Sequence, residues 1–152
     1  MKKLTLTIES QILSTYGWED NASYDLTLIN CTFTKDNLPP NIHNLHLICC
    51  ERTFIDINIT STFTVEGYNI MNFAAFKGLK AEKMNVINCN IHSFDLLSEM
   101  NIKHITLDNT VNIYSSEVVE ILPHTTITAT KQHAKSFVSK NNIEIVESVI
   151  HF

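Results

Sequence analysis

The chain has 152 residues, enough for one domain over residues 1–152 with a continuous core, and its 44% hydrophobic content is typical of a folded protein. A net charge of −5 with 11 lysines and arginines argues against binding to nucleic acids or anionic membranes, which need a basic face. Three glycines are too few for repeated tight hairpins or for a glycine-rich phosphate loop.

The first residues predict a β-strand and not a secretion signal. Leu4, Leu6 and Ile8 alternate with threonines, and Glu9 ends the stretch. No later segment approaches the roughly 20 apolar residues of a membrane span. The four cysteines include an adjacent pair, in a chain that is long for a disulfide scaffold. We therefore expect a cytoplasmic protein in a reducing compartment.

Short strands with two alternating apolar residues recur at intervals near 20 residues. The clearest covers residues 24–33, where Leu26 and Leu28 are followed by Cys31 and Phe33. Alignment on this pattern predicts eight residues at a first core position: Leu4, Leu26, Leu45, Phe63, Met84, Ile105, Ile127 and Ile143. The second core position, two residues later, is apolar in all eight units. A unit repeated at a nearly constant interval predicts stacked units that share one core.

The connections between these strands change character along the chain. Segments 17–21 and 34–41 look irregular, and the second contains two prolines that cannot continue a helix. Later connections predict short helices, from apolar spacing and from serine at the first turn, over residues 72–79, 93–100, 115–122 and 130–140. Strand–helix–strand crossovers between parallel strands are right-handed by strong default. The pattern predicts an α/β fold with one curved parallel sheet.

The repeat resembles that of leucine-rich-repeat proteins, whose unit is L-x-x-L-x-L-x-x-N/C-x-L over 20 to 29 residues. The match is best at residues 26–33, 42–50 and 81–91, and the units cover almost the whole chain. The Leu-Pro-Pro step at residues 38–40 is similar to the short bacterial type. The resemblance implies a right-handed solenoid with its strands on the concave side.

The resemblance also implies a role for three cysteines at the Asn/Cys position of the unit. There the side chain points into the coil and satisfies backbone groups that cannot stay unpaired inside. Cysteine fills this position in three units, Thr110 and Ser148 are small polar substitutes, and the other units depart from the pattern. The three cysteines are Cys31, Cys50 and Cys89.

Two other folds compete with this interpretation. A pentapeptide-repeat β-helix also closes a coil in about 20 residues, but it needs four Cys-x-Phe-like steps per coil and this chain shows one. A doubly wound α/β sheet needs longer crossovers than the first half of the chain provides.

Residue types suited to chemistry occur, but the repeat register separates them. His43, His46, Cys49 and Cys50 have zinc-ligand spacing, yet strand alternation places His46 outward and Cys50 inward. The other histidines are scattered and follow no Ser-His-acid order, and the sequence shows no paired carboxylates suited to acid–base catalysis. We therefore expect no catalytic residue, no metal site and no cofactor.

The outward strand positions predict the binding surface. One row, between the two core positions, is rich in threonine, and the next row carries Ile29, Ile48 and Ile87. Contiguous apolar side chains on an exposed sheet indicate a contact surface. The residues predicted to contact a partner are Thr27, Ile29, His46, Ile48, Thr64, Glu66, Asn85, Ile87, Thr106 and Asp108.

We expect a non-catalytic protein-interaction module of bacterial type, which acts in the cytoplasm or is delivered into a host cell as an effector. The alternative is an inhibitor or immunity-type protein that blocks a toxin or an enzyme, and an enzyme of unknown class is the third option. The expected partner is another protein, with no nucleic acid and no membrane. Residues 148–152 look like an apolar strand without a polar cap, so a homodimer through this C-terminal strand edge is a further option.

Overall fold

A computed structural model describes residues 1–50, 53–121, 123–138 and 142–150. These residues are mainly in parallel β-strands, and few are helical. The strands are β1 (Lys2–Glu9), β2 (Ala22–Ile29), β3 (Ile42–Ile48), β4 (Ile59–Glu66), β5 (Met71–Asn72), β6 (Lys80–Ile87), β7 (Asn90–Ser93), β8 (Asn101–Leu107), β9 (Asn112–Ile113), β10 (Thr126–Thr130) and β11 (Ile143–Val146). One short α-helix, α1, covers Lys131–Ala134, and 3₁₀ helices cover Leu13–Thr15, Lys35–Asn37, Phe73–Phe76 and Leu97–Glu99.

Eight of the strands form one parallel sheet in the order β1-β2-β3-β4-β6-β8-β10-β11. The short strands β5, β7 and β9 form a second parallel sheet. Within each sheet the spatial order follows the order along the chain, so each connection returns the chain to the start of the neighbouring strand. The predicted α/β class with a parallel sheet is confirmed, whereas the second, three-stranded sheet was not predicted.

The strand register confirms seven of the eight predicted units and corrects the first. Six pairings join the first core positions from Leu26 to Ile143 in one row. In β1, however, Leu6 and not Leu4 pairs with Leu26. A two-residue shift leaves every side chain on the same face of a strand, so the alternation in β1 fits both registers equally well.

A left-handed residue ends each of the first five strands of the large sheet. These residues have φ between 47° and 73° and are Ser10, Asn30, Cys49, Gly67 and Asn88. The first four donate a backbone N–H to the carbonyl of the last residue of the next strand, at 2.8 to 3.1 Å. Glycine and asparagine reach this conformation at low cost, whereas serine and cysteine are strained in it. In four of the five turns the next side chain is buried, whereas Gln11, which follows Ser10, is exposed.

The sixth unit has a different turn, which moves the inward position by one residue. The Asp108 carboxylate accepts hydrogen bonds from the Thr110 N–H at 2.9 Å and from its hydroxyl at 2.6 Å. Val111 is 2% exposed and occupies the interior position predicted for Thr110, which is exposed. The Thr110 hydroxyl instead accepts the N–H of Asn88 at 2.7 Å. In the first four units the corresponding N–H binds a backbone carbonyl of the next strand, so the Thr110 hydroxyl takes the place of that carbonyl.

The predicted helices are shorter than expected or absent. Residues 72–79 hold a four-residue 3₁₀ helix and residues 93–100 a three-residue one, and α1 is the described helical part of 130–140. Residues 115–121 contain no helix, and the remainder of that prediction, residue 122, lies outside the described residues, as do residues 139 and 140. A return stretch of about ten residues must cross the whole unit, and extended or 3₁₀ backbone advances farther per residue than an α-helix.

No helix in the described part of the chain is long and apolar enough to cross a membrane.

The end of the chain is not the strand that was predicted. The described residues 147–150 turn back from β11 and contact the turn after β8. Val149 and Asn109 exchange two hydrogen bonds, from Val149 N–H to Asn109 Oδ1 at 2.7 Å and from Asn109 N–H to the Val149 carbonyl at 2.9 Å. Residues 151 and 152 lie outside the described residues. Within the described residues, the last strand of the sheet is therefore β11.

We expect Gly67→Ala to lower the free energy of unfolding by about 2 kcal/mol, because alanine is strained at positive φ. An added Cβ at Gly67, where φ is +73°, would also lie 2.8 Å from the Cys49 Sγ. In a Cys49→Ala background the cost should fall by about 1 kcal/mol, since the crowding disappears and the strain remains. Urea denaturation of both single variants and the double variant measures this coupling.

The matched control is Gly17→Ala, where a Cβ would meet no atom within 4 Å. It should change stability by less than about 0.5 kcal/mol. A Gly67→Ala variant as stable as the control would contradict the left-handed turn, and an unchanged cost in the Cys49→Ala background would contradict the crowding.

Candidate functional site

The candidate site is the face of the large sheet opposite the core, called here the outer face. Because side chains alternate along a strand, the residues flanking the core positions project from this face in three rows. The middle row, in the corrected register, holds Thr7, Thr27, His46, Thr64, Asn85, Thr106, Thr128 and Glu144. The rows on either side begin with Thr5 and Glu9.

A groove of about 390 Å³ lies on the outer face over β1, β2, β3, β4 and β6. Four of the residues predicted to contact a partner line this central groove, and each comes from a different strand: Thr27, His46, Thr64 and Asn85. The structure therefore brings these four predicted residues together. Thr106 lies one strand farther along the middle row and is half-buried.

A hydrogen-bonded chain of side chains holds the floor of the central groove. Asn44 donates through Nδ2 to Asp25 Oδ1 at 2.9 Å and accepts through Oδ1 the backbone N–H of Thr62 at 3.1 Å. The pairings of β3 with β2 and with β4 shift register next to Asn44. Its amide thus stands in for the regular backbone ladder where the ladder is interrupted.

A histidine and a glutamate form the polar centre of the face. His46 Nε2 lies 3.0 Å from Glu66 Oε1, and both side chains are about one-third exposed. His46 belongs to the middle row and Glu66 to the neighbouring row, so the pair runs diagonally across two strands. This contact fixes both side chains on the surface that a partner would meet.

The apolar row on the outer face is interrupted. Ile29 pairs with Ile48, and both are half-buried. Glu66 then lies between Ile48 and Ile87, because β4 is inserted between β3 and β6. The expected contiguous strip of isoleucines is therefore wrong. The face carries one isoleucine pair and a separate isoleucine on the other side of the glutamate.

Asp108 does not lie on the exposed surface where it was predicted. It is 5% exposed, and its carboxylate holds Thr110 in the turn after β8. Thr64, although it lines the central groove, is also largely shielded by its neighbours at 6% exposure. The Asp108 carboxylate therefore stabilises the turn, and the Thr64 side chain has little exposed surface for a contact with a partner.

The row before the first core position was not among the predicted contact residues, although it also projects from the outer face. In that row His104 hydrogen-bonds through Nδ1 to the Thr126 hydroxyl and through Nε2 to the Thr128 hydroxyl, the latter at 2.9 Å. Thr128 also donates to Glu144 at 3.5 Å. This network joins β8, β10 and β11 across the face. The alternation in each strand predicts this third row, so the signal was available.

The three repeat cysteines are buried, as predicted, and their thiols bind backbone carbonyls. Cys31 Sγ donates to the Ile8 carbonyl and Cys50 Sγ to the Leu28 carbonyl, both at 3.3 Å. Cys89 Sγ donates at 3.2 Å to the carbonyl of Ile87, the last residue of β6. Burial raises the pKa of the Cys50 thiol, and burial raises the pKa of Cys89 to about 11. At neutral pH the thiols of Cys50 and Cys89 are therefore protonated, which makes them poor nucleophiles and metal ligands.

The residues with zinc-ligand spacing are not brought together. Cys50 lies in the interior, Cys49 is exposed, and His46 lies on the outer face against Glu66. Within the part of the chain that the structure describes, no group of three or more histidine, cysteine, aspartate or glutamate side chains is arranged to hold a metal ion.

Comparison with known proteins leaves the chain without an assigned relative. No family model matches it, and no curated protein or solved structure matches it. The resemblance to leucine-rich repeats and the function that it implies therefore stay predictions.

We expect the wild-type protein to lose about 2 to 3 kcal/mol of stability through Cys89 as the pH rises from 9 to 11. The folded-state pKa of Cys89 is raised from 9.0 to about 11. Above pH 9 the unfolded chain therefore releases this proton while the folded chain retains it, and unfolding becomes more favourable. Urea denaturation at pH 8, 9, 10 and 11 under reducing conditions measures the loss.

In Cys89→Ala this part of the alkaline destabilisation should disappear, whatever the variant's stability at pH 8. Cys49→Ala is the control, because it removes an exposed thiol and should keep the alkaline loss that Cys89 causes. Equal alkaline slopes for wild type and Cys89→Ala would show that Cys89 ionises freely in the folded protein.

Proposed function

We propose that the chain is a leucine-rich-repeat-like solenoid that binds a partner protein through its outer face and has no catalytic function. The observation that carries the proposal is the central groove, which four predicted contact residues line from four neighbouring strands. On this proposal the sheet is curved, the crossovers are right-handed and the outer face is concave.

Three structural features support the solenoid. The strands of the large sheet follow one another in chain order, and all pair in parallel. Successive first core positions, from Leu6 to Ile143 in the corrected register, are 16 to 22 residues apart. The left-handed turn occurs at the same position of five consecutive units. A repeated turn at a fixed position is the local device that a stacked architecture requires.

The chemistry of the outer face suits a protein partner. Short threonine and asparagine side chains provide donors and acceptors, and the Ile29–Ile48 pair provides apolar area next to them. Since these side chains stand on paired strands, binding would order little additional backbone. Acids outnumber lysines on the face, whose charged side chains include Glu9, Asp25, Glu66, Glu144, Lys3 and Lys83. The proposed contact surface on the partner is therefore neutral or basic, which also disfavours nucleic acid.

The alternative function is that of an inhibitor or immunity-type protein that blocks a toxin or an enzyme. The acidic excess on the outer face favours a target with a basic surface. A bacterial effector would use the same face on a host protein, and both proposals place the chain in a cytoplasm, its own or that of the host. A homodimer through the edge of β11 is a separate proposal. It is supported by Ile145, which is 58% exposed in this last strand.

We expect the double variant Thr27→Arg, Asn85→Arg to lose at least about ten-fold of the partner captured from a native lysate. Both positions line the central groove and are half-buried, so two arginines would obstruct the groove without entering the core. Captured proteins are identified by mass spectrometry, and the affinity and stoichiometry of the purified partner are then measured by calorimetry.

The matched control is Ser116→Arg, Gln132→Arg, which adds the same charge at exposed positions outside the large sheet. Both double variants should melt at the wild-type temperature. Equal capture by the groove variant and the control would place the interface elsewhere. If the purified partner is an enzyme that loses activity at a 1:1 ratio, the inhibitor function is favoured over the effector.

A further inference from the structure

A second cavity, of about 560 Å³, lies away from the outer face, and none of its lining residues belongs to the large sheet. It is enclosed by the segment before β4, the turn after β4, the 3₁₀ helix Phe73–Phe76 and the end of β7. This volume falls within the range of cavities that bind small molecules. We call it the side cavity.

Two large apolar side chains stand exposed on the rim of the side cavity. Phe54 is 73% exposed and Ile70 is 60% exposed, and they come from segments on opposite sides of β4. The segment that carries Phe54 is held in place by a hydrogen bond from the Ile55 N–H to the Ala75 carbonyl at 2.9 Å. Ala75 and the buried Phe76 line the same cavity. Exposed apolar side chains that converge on one cavity indicate a binding site rather than scattered surface residues.

Among the described residues, Asp95 is the charged residue that lines the side cavity, and no described basic residue lines it. Its backbone N–H binds the Ser93 hydroxyl at 3.0 Å, which positions the residue after β7. Its carboxylate forms no ion pair or hydrogen bond with any residue that the structure describes. By contrast, Asp56 holds Lys35 at 3.1 Å and Glu99 holds Lys77 at 3.5 Å. The side cavity therefore combines an apolar wall with a carboxylate that no cationic side chain of the described residues pairs with.

We propose that the side cavity binds a small amphiphilic cation, a molecule with an aromatic or branched apolar body and one ammonium or amidinium group. The body lies between Phe54 and Ile70 over Ala75, and the cationic group pairs with the Asp95 carboxylate. Neutral molecules of the same shape bind more weakly because the acid stays unpaired, and anions are repelled. The ligand and the partner of the outer face bind to different residues, so either proposal can fail without the other.

The test uses three probes that share a phenyl body and differ in charge: phenethylammonium, 2-phenylethanol and 3-phenylpropionate. Each is titrated into the ¹⁵N-labelled protein at pH 7 and low ionic strength, and chemical shifts give the site and the dissociation constant. We expect phenethylammonium to bind about three-fold to five-fold more tightly than the alcohol, as exposed ion pairs allow. The largest shifts should be at Phe54, Ile70, Ala75 and Asp95.

Asp95→Asn should remove the preference for the cation while the alcohol still binds, and Ile70→Ala should weaken both probes. Asp20→Asn, at an exposed acid outside the side cavity, is the control and should keep the preference. Three results would each overturn the proposal: no saturable binding of phenethylammonium, an undiminished preference in Asp95→Asn, or shifts confined to the outer face. All variants change exposed side chains, and their melting temperatures verify that they fold.

Discussion

The left-handed turn that ends the first five strands of the large sheet is the constraint on which the rest of the structure depends. In four of these five units the side chain after the left-handed residue is buried. In the first four units the turn also aligns each strand with the next, because the N–H of the left-handed residue binds the last carbonyl of the neighbouring strand. Where glycine or asparagine is absent, at Ser10 and Cys49, the surrounding hydrogen bonds have to compensate for the strained backbone.

The interior and the strand order were predictable from the sequence because they follow from local patterns. A period of two within strands and a spacing near 20 between them predicted the pairing of Leu26 with Leu45, and the resemblance to leucine-rich repeats implied the burial of Cys31. The first unit was wrong because alternation alone cannot distinguish registers two residues apart. Thr110 was misplaced because the Asp108 turn adds a residue, and a carboxylate that binds the chain two residues later has no periodic signature.

The candidate site was predictable only in part, since it depends on which strands become neighbours and on contacts across them. The middle row could be read from alternation, and it does converge on the central groove. The interruption of the isoleucines by Glu66 follows from the insertion of β4 between β3 and β6, which the same alignment contained. Alternation predicts the row that contains His104 but not the contacts that its side chain makes. Those contacts, like the diagonal contact of His46 with Glu66, depend on side-chain rotamers and on neighbouring strands, which the sequence pattern does not specify.

The contact of Val149 with Asn109 changes how the C-terminal part should respond to stress. In a stack of repeated units, stability is approximately a sum of terms for each unit and its immediate neighbours. Here the tail that follows β11 is bonded to the turn after β8, although β10 lies between them in the sheet. Opening the last strand therefore also strains a unit two strands away. We expect β8, β10 and β11 to open together, because the tail after β11 links them.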